Sequence, residues 1–113
     1  MLLNERDKSY IYDMIKYCEE IVDIIKDESH HSFIKNRIKR LAIERLIEVV
    51  GEAANHVSND VVQQNIDIPW SKIIGLRNKI VHDYGEILTD RIWLIASRSI
   101  PELLEQLKSK NFI

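Results

Sequence analysis

The sequence predicts an all-α protein, an up-and-down four-helix bundle with a kinked last helix. Three observations carry that prediction. Apolar residues recur every three or four positions from one end of the chain to the other. No stretch alternates apolar and polar residues as a half-buried strand does. Only three glycines and two prolines punctuate 113 residues, so the elements should be long. With 45% hydrophobic and 30% charged residues, the chain reads as one globular domain, residues 1–113, rather than a disordered segment.

The first helix should run from about Arg6 to Asp27. Ile11, Met14, Ile15, Cys18, Ile21, Val22 and Ile25 form its apolar stripe. Ser29-His30-His31-Ser32 reads as a connection. A second helix follows over about Phe33–Val57, with Ile34, Ile38, Leu41, Ala42, Leu46, Val49, Val50, Ala53 and Ala54 as its stripe. Gly51 inside it costs stability relative to alanine, which suits a close approach by a neighbouring helix. Ser58 to Asn65 reads as a cap and a short helical turn.

Asp67-Ile68-Pro69-Trp70 starts the third helix, because proline at the first helical position loses no hydrogen bond. That helix should end near Tyr84, with Gly85 suited to the left-handed position after it. Thr89 or Asp90 can cap a fourth helix reaching about Lys108. Pro101 should kink or interrupt it, having no N–H to donate to the preceding turn.

The lone cysteine, Cys18, sits on the apolar stripe of the first helix and should be reduced and buried. The N-terminus turns charged at once, which argues against a signal peptide, and no apolar run approaches membrane-spanning length. A cytoplasmic protein with no membrane association is the expectation.

A net charge of −2 offers no global attraction to polyanions. Charge is nevertheless uneven: residues 1–31 hold eight acidic and four basic side chains. Lys35, Arg37, Lys39 and Arg40 cluster at the start of the second helix, and Lys72, Arg77 and Lys79 follow along the third. Such runs are either solvated helix surface or, if both open on one groove, a phosphate-binding face.

The chemistry concentrates in Arg77-Asn78-Lys79-Ile80-Val81-His82-Asp83-Tyr84. Arginine is a permanent cation that forks onto phosphate oxygens. Histidine gives or takes a proton near neutral pH. Asn78 stands four residues before His82, so its amide can hydrogen-bond the ring and set its tautomer. The last helical turn also favours the protonated imidazole. Arg77 and His82 thus supply charge stabilisation and proton transfer for cleaving an RNA phosphodiester, whose own 2′-hydroxyl is the nucleophile. The plain alternative is structural: His82 caps carbonyls, Arg77 pairs with a carboxylate and Tyr84 packs as core. The catalytic reading has a stoichiometric requirement. One group must take the 2′-hydroxyl proton and another must protonate the leaving 5′-oxygen, yet one chain offers one histidine. A two-fold homodimer that faces two octets together meets that need.

Other constellations are weaker. Glu44, Glu48 and Glu52 form a row that reads as helix surface or as partners for Arg40 and Arg45. A role in positioning the octet or contacting a dimer partner stays open. His30, His31 and His56 lack a metal-ligand pattern, so no metal is expected. Trp70 and Trp93 read as core or interface anchors rather than base-stacking platforms. No glycine-rich phosphate loop is present, and no cofactor is expected.

An ordered series of motifs goes further. Glu44-Arg45-Leu46-Ile47-Glu48-Val49-Val50-Gly51-Glu52-Ala53-Ala54-Asn55, then Ile68-Pro69-Trp70, then Ile74-Gly75-Leu76-Arg77-Asn78 through Tyr84, resembles the HepT family, HEPN-domain toxins of bacterial and archaeal toxin–antitoxin pairs. Ile92-Trp93 and Pro101-Glu102-Leu103 continue the likeness, which covers about the C-terminal two-thirds of the chain. Arg77, His82 and Tyr84 satisfy that family's arginine–histidine–tyrosine motif, and Asn78 is the polar residue that often follows the arginine. The resemblance implies an all-α homodimer with a composite site and metal-independent RNA cleavage. It also implies a partner, a minimal nucleotidyltransferase antitoxin of the MntA type, which transfers AMP to the motif tyrosine, here Tyr84. A nucleotide there would add bulk and negative charge where an RNA phosphate must sit. Lys35, Arg37, Lys39, Arg40 and Lys79 are the RNA-binding candidates. The competing reading is a non-catalytic helical subunit that presents substrate to a nucleotidyltransferase.

Overall fold

The computed structural model describes the backbone of residues 3–82 and 86–112, with side chains for these except at 77–82, 86 and 87. All regular structure among them is helical. Asn4 opens α1 (Glu5–Ile25) by accepting the Asp7 N–H at 2.7 Å. Ile11, Met14, Cys18, Ile21 and Ile25 line its buried side, with Ile15 and Val22 half-buried beside them. Tyr12, Lys16, Glu19, Glu20 and Asp23 face outward. The expected stripe is thus the packed one.

The next stretch departs from expectation. Ser29 to Ser32 is not a plain connection but the start of α2 (His30–Lys35). Ser29 Oγ accepts the Ser32 N–H at 3.1 Å, and Ser32 Oγ accepts the Ser29 N–H at 2.9 Å, a reciprocal cap. The expected second helix is broken at Asn36, which ends α2 and begins α3 (Arg37–His56) by accepting the Lys39 N–H at 3.0 Å. Asparagine competes for backbone groups inside a helix and serves well at its start, which explains the break.

The packed side of α3 is also rotated from the expected one. Ile43, Ile47, Val50, Gly51, Ala53 and Ala54 are buried. Ile34, Ile38, Leu41 and Ala42, placed on the stripe from sequence, are exposed. The physical reason is that α3 is apolar on two sides and only one meets α1 and α5.

Ser58 precedes α4 (Asn59–Gln64), but its hydroxyl does not cap that helix. Asp7, buried at 2% exposure, reaches across from the first turn of α1 to accept from Ser58 N–H at 2.8 Å and Ser58 Oγ–H at 2.7 Å. This contact joins the start of α1 to the end of α3, so the two run antiparallel. α5 (Trp70–His82) begins one residue later than expected, with the Pro69 carbonyl accepting the Ile73 N–H at 3.0 Å. Trp70 is buried and donates its indole N–H to the Asn65 carbonyl at 2.9 Å.

The last element runs as α6 (Glu86–Leu94), a π-helical turn (Ile95–Ser99) and α7 (Ile100–Ser109). Thr89 and Asp90 lie inside α6 rather than capping it. The wide turn sits where Pro101 cannot donate to the Ser97 carbonyl, so the anticipated kink is accommodated by one loosened turn. Gly85, the anticipated helix stop, lies outside the described residues.

The core forms where α1 packs on α3 and α7, and α3 on α5. Cys18 is buried there, and burial, reinforced by Glu19, pushes its thiol up to about 12. No helix among the described residues is long and apolar enough to cross a membrane.

Candidate functional site

The backbone of Arg77, Asn78, Lys79 and His82 lies in the last turns of α5, which is anchored from its other end. Trp70, Ile73 and Leu76 are buried, so the first half of the helix is packed into the core. The side chains of Arg77, Asn78, Lys79 and His82, and Tyr84 entirely, lie outside the described residues.

The helix that follows α5 in sequence is held by described contacts. α6 begins four positions after His82, at Glu86, and is held by α2 and α3. Arg40 Nη1 donates to Thr89 Oγ1 at 3.0 Å, where Thr89 is buried. His30 Nε2 lies 2.8 Å from Asp90 Oδ1. Trp93 stacks on His30 and packs at a tilt against Phe33, with ring centroids 6.0 and 5.3 Å away. These ties span 49 and 60 residues of sequence and bring α2 and the start of α3 against α6. Sequence reading missed them. It singled out Arg40, His30 and Trp93 one at a time, and no local spacing links them to Thr89 and Asp90.

The basic cluster divides into two pairs. Lys39 Nζ sits 2.6 Å from Glu28 Oε1, and Arg40 is committed to Thr89. The Lys39 ammonium, with the Ser32 hydroxyl second, holds the Glu28 carboxyl below its usual value. Lys35 and Arg37 remain exposed at the α2–α3 break beside His31 and Ser32. The glutamate row behaves as inter-residue pairing: Arg45 reaches Glu48 at 3.2 Å and Glu52 at 3.7 Å. Burial raises the Glu44 carboxyl, with the Arg40 charge opposing it. His56 stacks on Tyr10 at 4.9 Å.

Among the described residues no group of three His, Cys, Asp or Glu side chains is placed to hold a metal ion. A mainly apolar cavity between α5 and α7, bordered by Lys72 and Glu102, encloses about 60 Å³ and is too small for a nucleotide.

An all-α bundle carrying an arginine–histidine pair on one helix defines a class of small helical proteins, and comparison with known proteins makes that class specific. Residues 14–109 match the family model described as "Ribonuclease HepT-like". The chain belongs to this family, whose enzymatic class is ribonuclease. The match extends the resemblance upstream into α1. A protein of Methanocaldococcus jannaschii named "Putative RNase MJ1380" is 29% identical over 107 residues, covering 94% of this chain and 98% of its own. "Putative RNase MJ0125" of the same organism is 30% identical over 99 residues, 88% of this chain and 85% of its own. "Probable ribonuclease HepT" of Thermococcus cleftensis is 26% identical over 96 residues, 85% and 87% of the two chains. No solved structure matches this one.

Proposed function

We propose that this protein is the toxin of a toxin–antitoxin pair, a homodimeric endoribonuclease whose site joins two copies of the Arg77–His82 motif. The observation that supports the reading is the family match over residues 14–109, with the whole motif inside it. In the reaction, the 2′-oxygen attacks the adjacent phosphorus as its proton passes to a base. The bond to the 5′-oxygen breaks as an acid protonates that oxygen, leaving a cyclic phosphate and a 5′-hydroxyl. His82 of one copy serves as base and His82 of the other as acid, and Asn78 orients the ring. Arg77 neutralises charge on the non-bridging oxygens as the five-coordinate phosphorus forms. Lys35, Arg37 and Lys79 contact flanking phosphates, whereas Lys39 and Arg40 have protein partners that compete with that use.

The partner is a minimal nucleotidyltransferase antitoxin of the MntA type. The Tyr84 phenol oxygen attacks the α-phosphorus of ATP, pyrophosphate leaves and AMP remains on the ring. The added negative charge then repels RNA phosphate.

Purified Arg77→Ala and His82→Ala should lose RNA cleavage by at least 100-fold, the low end of general acid–base contributions, with the helical circular dichroism unchanged. Parental cleavage by His82→Ala would sink the mechanism. Harmless accumulation of the wild-type chain without its partner would favour a binding subunit instead. Intact-mass measurement after co-expression should show AMP additions that vanish in Tyr84→Phe.

A further inference from the structure

The first part of α6 has a slender apolar hold on the core. Among the described side chains of this helix only Thr89 and Ile92 are buried. Polar ties from two other helices add to that hold. Arg40 on α3 donates from Nη1 to the Thr89 hydroxyl at 3.0 Å. His30, the first residue of α2, sets its Nε2 2.8 Å from Asp90 Oδ1. A carboxylate only accepts, so Nε2 carries the proton. Trp93 stacks within 14° of parallel on the His30 ring and fixes the plane in which that N–H points. Both donors are themselves anchored. The reciprocal Ser29–Ser32 cap sets the start of α2, and Glu28, just before it, meets Lys39 at 2.6 Å. Lys39 and Arg40 are neighbours, so one turn of α3 holds the lead-in to α2 and the start of α6 together.

We propose that His30 and Arg40 are positioning residues for RNA cleavage, a role that rests on the ribonuclease reading of Arg77 and His82. By holding Asp90 and Thr89 they fix the first turn of α6, and through the chain they fix the end of α5 that bears His82. Covalent geometry carries the effect. α6 opens four positions after His82, and four residues of chain reach at most about 14 Å. The first half of α5 is fixed by burial of Trp70, Ile73 and Leu76. Its last turn takes a second fixed point from α6. Proton transfer demands close placement of the reacting groups, and a misplacement of about 1 Å can cost about 100-fold in rate. Arg40 therefore acts on the rate through Thr89. A guanidinium that instead touched an RNA phosphate would act on affinity and on its salt dependence, which separates the two uses of this side chain.

The test uses the full chain and two readouts. Single-turnover cleavage of an oligoribonucleotide at saturating protein gives the chemical rate. Fluorescence anisotropy with the 2′-O-methyl form of the same oligonucleotide, which lacks the nucleophile, gives affinity. The His30 and Asp90 side chains are 50% and 58% exposed, so exchanging either keeps the fold. His30→Ala and Asp90→Ala should each lower the rate on the order of tenfold, within reach of a sub-ångström displacement, with affinity unchanged. The double variant should lose no more than either alone, since both remove one contact. His30→Gln, which keeps a donor, should recover most of the rate. Arg40→Ala should slow cleavage similarly and leave the salt slope of binding as it was. Thr89→Val, which removes only the hydroxyl, repeats that test with the guanidinium retained. Parental rates in His30→Ala and Thr89→Val overturn the positioning role, as does an Arg40→Ala whose loss lies wholly in affinity. The ribonuclease reading survives either result as long as His82→Ala is inactive. A His82→Ala that cleaves at the parental rate overturns both.

Discussion

Two helices of nearly equal length, α1 with 21 residues and α3 with 20, solve different problems. The outward side of α1 is charged and aromatic-polar, so its single apolar stripe has one place to go. The inward side of α3 is Ile43, Ile47, Val50 and Ala54, but its outward side begins with Ile38, Leu41 and Ala42. The apolar content of α1 is used up within the chain, and that of α3 exceeds what the chain can bury. The lesson is that helical periodicity reports that a stripe is apolar. It does not report whether the stripe faces its own core or another molecule.

The sharpest way to break this contrast is to truncate both sides of α3. Ile47→Ala, at 0% exposure, should lower unfolding free energy by about 2–5 kcal/mol, as other buried Ile and Leu truncations do. Ile38→Ala should change the isolated chain by under about 0.5 kcal/mol. Equal losses in urea titrations at a concentration where the chain is monomeric would erase the distinction. Met14→Ala in α1, also 0% exposed, should match Ile47→Ala.

A smaller effect tests how the two helices are joined. Asp7→Ala leaves the Ser58 N–H without its partner and should cost about 1–3 kcal/mol. Hydrogen exchange should then rise first in α4. Smaller still, Ser29→Ala removes the reciprocal cap of α2 and should cost about 1 kcal/mol. Its effect should appear as looser packing around Trp93, read by indole fluorescence.

The smallest expected change is in the acid limb of stability. The Glu28 carboxyl is lowered chiefly by Lys39, and that of Asp67 chiefly by Lys110. A carboxyl lowered on folding contributes stability that is present above its unfolded pKa and is lost as pH falls through the folded one. Melting temperature should therefore decline as pH drops through the carboxylate range. Glu28→Gln should flatten that decline slightly, both groups being screened by solvent. Burial raises Glu44 and works in the opposite sense, favouring its protonated form. An acid limb that Glu28→Gln leaves unchanged would remove Lys39–Glu28 from the account.

Much of the helical architecture was legible because its signals are local. The stripe Ile11–Ile25 and the Pro69-Trp70 start carry their own spacing, and Pro101 marks the loosened turn before α7 by its missing donor. The motif on α5 was likewise readable as a string, and its ordered neighbours pointed to the family that the 14–109 match shows. Less readable were features that depend on competition between distant groups. Asn36 divides an otherwise continuous apolar pattern because capping α3 there satisfies the Lys39 N–H. Nothing near Ser58 announces that Asp7, 51 residues away, will take its amide. Lys39 and Arg40 looked equivalent to Lys35 and Arg37 until Glu28 and Thr89 were seen to engage them.

By itself, the sequence determined that the chain is helical, the span of α1, the end of α3, the start of α5 to within a residue, and which family it joins. Each of those follows from residue order within a few turns, where periodicity, capping and proline geometry act. Only the tertiary structure decided which side of α3 is inside, which cations of the 35–40 cluster are occupied, and that α2 and α3 hold the start of α6. Those outcomes are settled by which surfaces meet and exclude water, and the ties to α6 join side chains 49 and 60 residues apart whose encounter no local pattern encodes.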